Sequence, residues 1–299
     1  MADITATDAF TDKIPHRTNP VLQFVKAQPL GFLGFLIVLL YFVLAVGAHW
    51  ISPYHPEEVD FAAMLTAPSP EHLFGTDQYG RDVFSRLVFG SRTALAVGIL
   101  SAIFGCTLGA VLGATSGYFG GWIDNILQRI VDIMLSFPII VLAMVVVAVL
   151  GRNMIGGIDL NLIVAIALPM VPKMARIARS STLSLAQMPF IDAARAGGYS
   201  DARIVLRHIL PNIAAPYLIM LTAFIAQAIL LEASLSFLGL GVTEPTAAWG
   251  LMLSGSSADF YQAAPWMILF PGLAITLAVF AFNLLGDSLR DWLDPKMKV

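Results

Sequence analysis

The sequence predicts an all-α integral membrane protein with six main transmembrane helices. Composition and the spacing of long apolar runs carry that prediction. Of 299 residues, 58% are hydrophobic and 12% charged, with a mean hydropathy of +0.79; soluble domains hold roughly 25% charged and about 45–50% apolar residues. A soluble core of this length cannot hide so much apolar surface, so the bilayer is the solvent. The net charge of -3 gives no reason to expect nucleic acid. Cys106 is the single cysteine, which excludes an intrachain disulfide and a cysteine-based metal cage. Inside its apolar run it reads as a small packing residue.

Each of six runs comes close to the ~20 residues that cross a hydrocarbon core. The first, at 30–51, reads LGFLGFLIVLLYFVLAVGAHWI. It outlasts the roughly 7–15 apolar residues of a secretory signal and follows a long polar leader, so it is expected to stay in the membrane. The others lie at 93–118, 130–150, 160–176, 213–235 and 265–285. Pro138, Pro169, Pro172, Pro216 and Pro271 are expected to kink these helices or mark their ends.

Orientation follows from the cations. With the N-terminus inside, 13 of the 17 lysines and arginines fall on the cytoplasmic side: three in the leader, Arg129, the group from Lys173 to Arg207, Arg290, Lys296 and Lys298. Arg81, Arg86, Arg92 and Arg152 remain outside. Both termini are therefore expected in the cytoplasm, and the polar stretch between the fourth and fifth runs with them.

Gly105, Gly109, Gly113 and Gly117 recur at every fourth position of the second run and line one helix face. Small residues let another backbone approach, which in lipid drives helix pairing. Static packing is the expected role, with a seam beside a moving gate as the alternative.

The stretch FIDAARAGGYSDARIVLRHILPN, at 190–212, is polar where its neighbours are lipid-like. Pro189 suits a first helical turn, where its missing N–H is unpaired in any case. Asp192 lies in that turn and complements the helix dipole. Ala193, Ala194 and Ala196 keep the element thin, and Gly197 with Gly198 offers a left-handed exit. Ser200 is placed to cap a second short helix, whose Ile204, Val205, Ile209 and Leu210 share a face and which Pro211 is expected to end. The physics leaves two readings open: an ordinary amphipathic connector, or a small protrusion shaped for a groove on a partner.

Asp192-Ala193-Ala194, Gly198 and Leu210-Pro211 resemble the cytoplasmic EAA loop of ABC-importer permeases. Asp192 stands where that motif has glutamate, and His208 stands at its isoleucine position. Arg207 to Asn212 is similar to the form found in peptide-type permeases. So are HLFGTDQYGRDVFSRLVFGSRTALAVG, at 72–98, and LEASLSFLGLG, at 231–241, with the later Trp249-Gly250. Together these resemble the second, or C-type, permease of dipeptide, oligopeptide and nickel importers.

The resemblance implies a type I importer fold with a cytoplasmic coupling helix between spans four and five. It implies a heterodimer with a sister permease, two cytoplasmic P-loop ATPases, an extracytoplasmic substrate-binding protein and a place in a bacterial inner membrane. The ATPase-coupling residues it points to are Pro189, Phe190, Asp192, Ala193, Ala194, Gly197, Gly198, Leu210 and Pro211. On this reading the chain divides into a leader at 1–29, a first helix with an extracytoplasmic segment at 30–92, a core at 93–290 holding the coupling loop at 177–212, and a tail at 291–299.

The lysines support the division of labour independently. A phosphate-cradling G-x-x-x-x-G-K-[ST] loop needs lysine after glycine, and the five lysines follow Asp12, Val25, Pro172, Pro295 and Met297. The chain is therefore expected to bind no cofactor and catalyse nothing, with ATP and magnesium on partner chains.

Two other classes fit the residues less well. An intramembrane serine protease would use Ser116 or Ser256, yet it needs a base within reach and no histidine follows His208. A secondary transporter or channel would place paired acids at mid-membrane; Asp132, Glu232 and Asp287 fall near the expected span ends, where solvated carboxylates are the commoner case. The outer His49, His55, Glu57, Glu58, Asp60, Glu71, His72 and Asp77 match no compact metal-ligand spacing and read as a solvated surface for the binding protein. Trp50, Trp122, Trp249, Trp266 and Trp292 read as an interfacial belt.

Overall fold

A computed structural model describes residues 28–155, 158–255, 260 and 262–293. Lys13, Arg17, Lys26, Ser256, Lys296 and Lys298 lie outside them. Five helical stretches are long and apolar enough to cross a bilayer, six when one sharply bent pair counts as a single span.

Helix α1, Pro29–Ile51, opens on a proline in its first turn. Its Gly34 brings it against α11 (Trp266–Leu293): a Cβ there would lie 2.8 Å from the Ala281 carbonyl oxygen. Tyr41 donates its hydroxyl to the Ala274 carbonyl at 2.9 Å, tying the pair across the sequence. The opposite side, with Leu33, Leu36, Leu40 and Val43, is exposed, as a lipid-facing stripe requires.

Helix α2, Val83–Phe119, starts ten residues before the expected 93. The Asp82 carboxylate accepts the Ser85 N–H at 2.7 Å and begins the helix there. Arg86 and Arg92, assigned by sequence to the outer segment, thus lie on its first turns. At 37 residues the helix is about 55 Å long, well beyond a hydrocarbon core of about 30 Å.

The third run is two helices. Gly121–Leu135 (α3) and Ile139–Leu150 (α4) meet at an angle of 96°. Pro138 supplies the break, because it has no N–H to continue the ladder. A two-stranded antiparallel hairpin follows, Met154–Ile155 with Ile158–Asp159.

The fourth span is longer than 160–176. Leu160–Ala167 (α5), a 3-10 turn at Leu168–Met170 and Val171–Leu185 (α6) run on as one stretch. Pro169 and Pro172 each sit in the first two residues of a segment, where a missing N–H costs nothing. They mark junctions without ending the helix.

Helix α7 is Pro189–Ala196 and α8 is Asp201–Ile204. Pro211 does not stop the second short helix. A π-helical turn at Val205–Ile209 and a 3-10 turn at Leu210–Ile213 lead without interruption into α9, Ala214–Phe237. Pro211 falls at the start of the 3-10 turn, again where its N–H is not needed. Trp249–Met252 (α10) precedes α11, which contains Pro271.

Helix α2 is the centre of the packing, with α1, α6 and α9 around it. Three of the five tryptophans, Trp50, Trp122 and Trp292, are exposed as a belt needs. Trp249 is not: it is buried against Gly90 and Tyr41 and donates Nε1–H to the Leu87 carbonyl at 2.9 Å. Trp266, half-buried, donates to the Thr76 carbonyl at 3.0 Å.

Candidate functional site

Helix α7 protrudes at one end of the bundle. Its first residue is Pro189, Asp192 lies in its first turn and Arg195 in its last, both favourable to the helix dipole. Ile191 and Ala194, three apart, are buried in the chain's own packing. Phe190, Ala193 and Gly197 share the other face and are exposed. The element is held from beneath and offers one aromatic ring among small residues. Asp192 pairs with Arg195 at 3.3 Å on the surface, so its carboxylate stays solvated.

The two glycines after α7 have different roles. Gly197 has φ −73, which any residue adopts. Gly198 has φ +76 and alone makes the left-handed exit. Its N–H reaches the Arg195 carbonyl at 3.0 Å, and Tyr199 N–H reaches that of Ala194 at 3.1 Å, closing the helix end as glycine C-caps do. Ser200 then accepts the Arg203 N–H at 3.4 Å and starts α8. Ile204, Val205 and Ile209 are buried, with Leu210 half-buried beside them and Pro211 exposed. His208, at the motif's isoleucine position, stacks on Tyr199 with ring centroids 5.9 Å apart.

Sequence reasoning missed the anchor of this element, Tyr118, on the last turn of α2. Its hydroxyl donates to Asp201 at 2.6 Å, and the Arg195 guanidinium lies 5.2 Å over its ring. One side chain thus ties α2 to both short helices. Its place one residue beyond the Gly105–Gly117 stripe was the available signal.

That stripe faces the end of α5 at Gly105 and α6 from Gly109 to Gly117. A Cβ at Gly105 would meet the Ala167 carbonyl oxygen at 2.9 Å, at Gly109 that of Val171 at 2.6 Å, and at Gly117 that of Arg179 at 2.9 Å. At Gly113 it would collide with the Ala175 carbonyl. Backbone lies on backbone for four turns, and α6 leads directly to α7. At the same end Arg179 grips Asp124 with two bonds of 2.6 and 2.5 Å. Ser116, committed to Asp124 and Gln128, is a structural hydroxyl here. Asp132 is exposed and pairs with Arg176 at 2.5 Å.

The opposite end is closed by a charge network. Arg81 bonds Asp77 at 2.6 Å and both Glu244 oxygens at 2.6 and 3.2 Å. Burial works against the Arg81 charge, but the Glu244 and Asp77 carboxylates outweigh it and raise its pKa. Burial likewise opposes ionisation of Glu244, and the Arg81 hydrogen bond overcomes this and lowers its pKa. Arg86, 1% exposed, donates to the Pro56 carbonyl at 3.0 Å and reaches Glu244 at 3.5 Å. Some of the outer acids and histidines have local partners: His72 holds Asp82 at 3.0 Å and Asp60 caps the short Phe61–Ala63 turn. Glu232, expected near solvent, is 1% exposed. It accepts the Ser236 hydroxyl at 2.7 Å, and Ser236 in turn accepts the Val242 N–H at 3.0 Å.

A bent third span, a glycine-seamed helix pair and a small protruding helix before the fifth span make a combination that can be compared with known proteins. Residues 105–299 match the family described as binding-protein-dependent transport system inner membrane component. The chain belongs to that family. Residues 21–68 match a second description, the N-terminal TM domain of oligopeptide transport permease C. The dipeptide transport system permease protein DppC of Alkalihalophilus pseudofirmus is 43% identical over 295 residues, covering 97% of this chain and 93% of that protein. The glutathione transport system permease protein GsiD of Escherichia coli is 45% identical over 274 residues, covering 91% and 88%. Among solved structures, the MetNI methionine ABC transporter in inward-facing conformations gives a TM-score of 0.52 at 21% identity, covering 71% of this chain and 97% of that one.

This permease is thus of the ABC-importer, dipeptide/oligopeptide type and has the type I importer fold. It is a multi-pass inner-membrane protein, and its relatives are permease proteins of transport systems.

Proposed function

We propose that this permease carries di- or oligopeptides inward, paired with a sister permease, with α7 seated in a groove of one of two P-loop ATPases. Both termini and α7 lie in the cytoplasm on this reading, and an extracytoplasmic binding protein delivers substrate to the Arg81–Glu244 end. Magnesium and ATP sit on the ATPases, since no lysine of this chain follows a glycine. One observation carries the coupling role: α7 presents Phe190, Ala193 and Gly197 outward while Ile191 and Ala194 hold it to the bundle. A peptide substrate is supported by the names of the two relatives, whose dipeptide and glutathione cargoes are both short peptides.

Closure of the ATPases on ATP would push paired coupling helices together and bias the spans between two arrangements. The test is purification of this chain from its native membrane in mild detergent, with mass spectrometry of what co-elutes. A second multi-span permease with one or two P-loop ATPases is expected; elution alone or as a homodimer would refute the partnership. In the purified complex Asp192→Lys should lower binding-protein-stimulated ATP hydrolysis severalfold, through reversed dipole complementarity at the α7 start. Undiminished stimulation would remove Asp192 from the coupling contact.

A further inference from the structure

Four arginines lie at the end of the bundle away from α7, and the structure divides them into two pairs. Arg81 and Arg86 are consumed by Asp77, Glu244 and backbone carbonyls. Arg92 and Arg152 have no carboxylate within ion-pair distance among the described residues. Both are exposed, and both line one cavity of about 460 Å³. That volume lies within the roughly 300–1,000 Å³ of small-ligand pockets.

Each arginine is steadied through a single guanidinium nitrogen. Arg152 Nη1 donates to Thr243 Oγ1 at 2.8 Å, and Arg92 Nη1 lies 3.2 Å from His49 Nε2. The remaining guanidinium N–H groups are left for a ligand. Thr93 and Thr246 line the wall, with the Thr93 hydroxyl donated to the Ala247 carbonyl at 2.9 Å. Among the described residues the cavity holds one acid, Asp159. Its Oδ1 caps α5 and the neighbouring loop, accepting the N–H groups of Asn153 and Asn161 at 3.1 and 3.0 Å. Its Oδ2 takes none of these bonds.

We propose that this cavity is a transient substrate site, in which Arg92 and Arg152 take the C-terminal carboxylate of a short peptide and Asp159 faces its ammonium end. The assignment rests on the peptide-import reading and its orientation, which put the cavity on the side where the binding protein releases cargo. Two cations and one anion suit a zwitterion. A phospholipid phosphate would meet the same arginines but would be repelled by Asp159. Guanidinium forks are suited to carboxylates by shape as well as charge. Two charge-assisted bonds are enough to hold a carboxylate briefly without trapping it.

The test uses the whole complex in proteoliposomes, with binding protein loaded with radiolabelled alanyl-alanine, reading uptake and stimulated ATP hydrolysis together. Arg92→Gln with Arg152→Gln should cut uptake roughly tenfold or more, the loss of one charged hydrogen bond being worth about that. Stimulated ATP hydrolysis should stay within about twofold of wild type, and the Arg92→Lys with Arg152→Lys pair should keep most of the uptake. Both arginines are exposed, so the protein folds without them. Unchanged uptake in the glutamine pair overturns the site. A parallel loss of uptake and ATP stimulation also overturns it, since the arginines would then be contacts of the binding protein. Labelled phospholipid lost from the glutamine pair with uptake intact makes the cavity a lipid site and overturns it too. Wild-type complex that neither imports the dipeptide nor stimulates hydrolysis would instead refute the peptide-import reading beneath it.

Discussion

Gly109→Ala is the sharpest test of how the bundle is held. A Cβ at that position falls 2.6 Å from the Val171 carbonyl oxygen and 2.7 Å from Met174 Cβ. Ordinary contact begins near 3.4 Å, so α6 must retreat by 3.4 − 2.6 = 0.8 Å. The obstructing atom is backbone and cannot rotate aside. A gap of that size forfeits about a quarter to a half of each dispersion contact along the seam. Overpacking costs about 1–3 kcal/mol, with a rigid obstacle at the upper end. Helix propensity returns about 0.5–1 kcal/mol for glycine to alanine, leaving a net destabilisation of about 2 kcal/mol. Gly272→Ala on α11 is the control: nothing lies within 4 Å of its Cβ, so it should gain about 0.5–1 kcal/mol. Unfolding of the purified complex by dodecyl sulfate in mixed micelles should therefore rank Gly272→Ala above wild type and Gly109→Ala below it. If Gly109→Ala is as stable as Gly272→Ala, the seam is not what joins these helices.

Two further outcomes are expected. At Gly198, where φ is +76 and the space is open, Gly198→Val should strain the backbone by about 1–2 kcal/mol and depress stimulated ATP hydrolysis, with Gly198→Asn far milder; equal effects would mean crowding, not backbone strain, governs the position. Glu244 has a folded pKa lowered mainly by Arg81 against the pull of burial, so its contribution to stability is full above the unfolded value of about 4.3 and is lost as pH falls through the folded one. Wild type should therefore lose more thermal stability between pH 7 and about pH 4 than Glu244→Gln, and an equal loss in both would show that the Arg81 contact adds nothing.

The membrane class, the six runs and the thin helix at Pro189 were legible because each depends on local chemistry: apolar length, proline at a first turn, glycine after a last one. Positions decided by contacts made across the sequence were not. The start of α2 at Val83 hinges on the Asp82 cap and on Arg86 finding Pro56 and Glu244, the latter 158 residues away. Arginine in a sequence window argues against a span, and only the distant partners reverse that. Glu232 read as solvated because it sits near a helix end, yet the loop after α9 folds back so that Ser236 and the Val242 N–H shield it. Pro169, Pro172 and Pro211 look alike as letters. Whether proline breaks a helix or rides through depends on whether a 3-10 junction forms there, a choice made by packing. In the candidate site, the short helix and its glycine exit were legible, but which of its residues face inward was not, Ala194 being buried; nor was Tyr118, since its partners Arg195 and Asp201 lie 77 and 83 positions on.

Because the glycines of α2 leave only backbone on its side of the seam from Gly105 to Gly117, the carbonyls of Ala167, Val171, Ala175 and Arg179 lie directly against it. On the α2 side of the joint there are no rotamers to change, so it can yield only by moving backbone. Helix α2 is a beam about 55 Å long, seamed to α5 and α6 over its half nearer α7, with Tyr118 touching α7 and α8 at one tip and the Arg81–Glu244 clamp at the other. A tilt of about 10° in such a beam swings its far tip by about 10 Å. On the coupling proposed for α7, a tilt set there is carried along α2 toward the end where Arg92 and Arg152 stand.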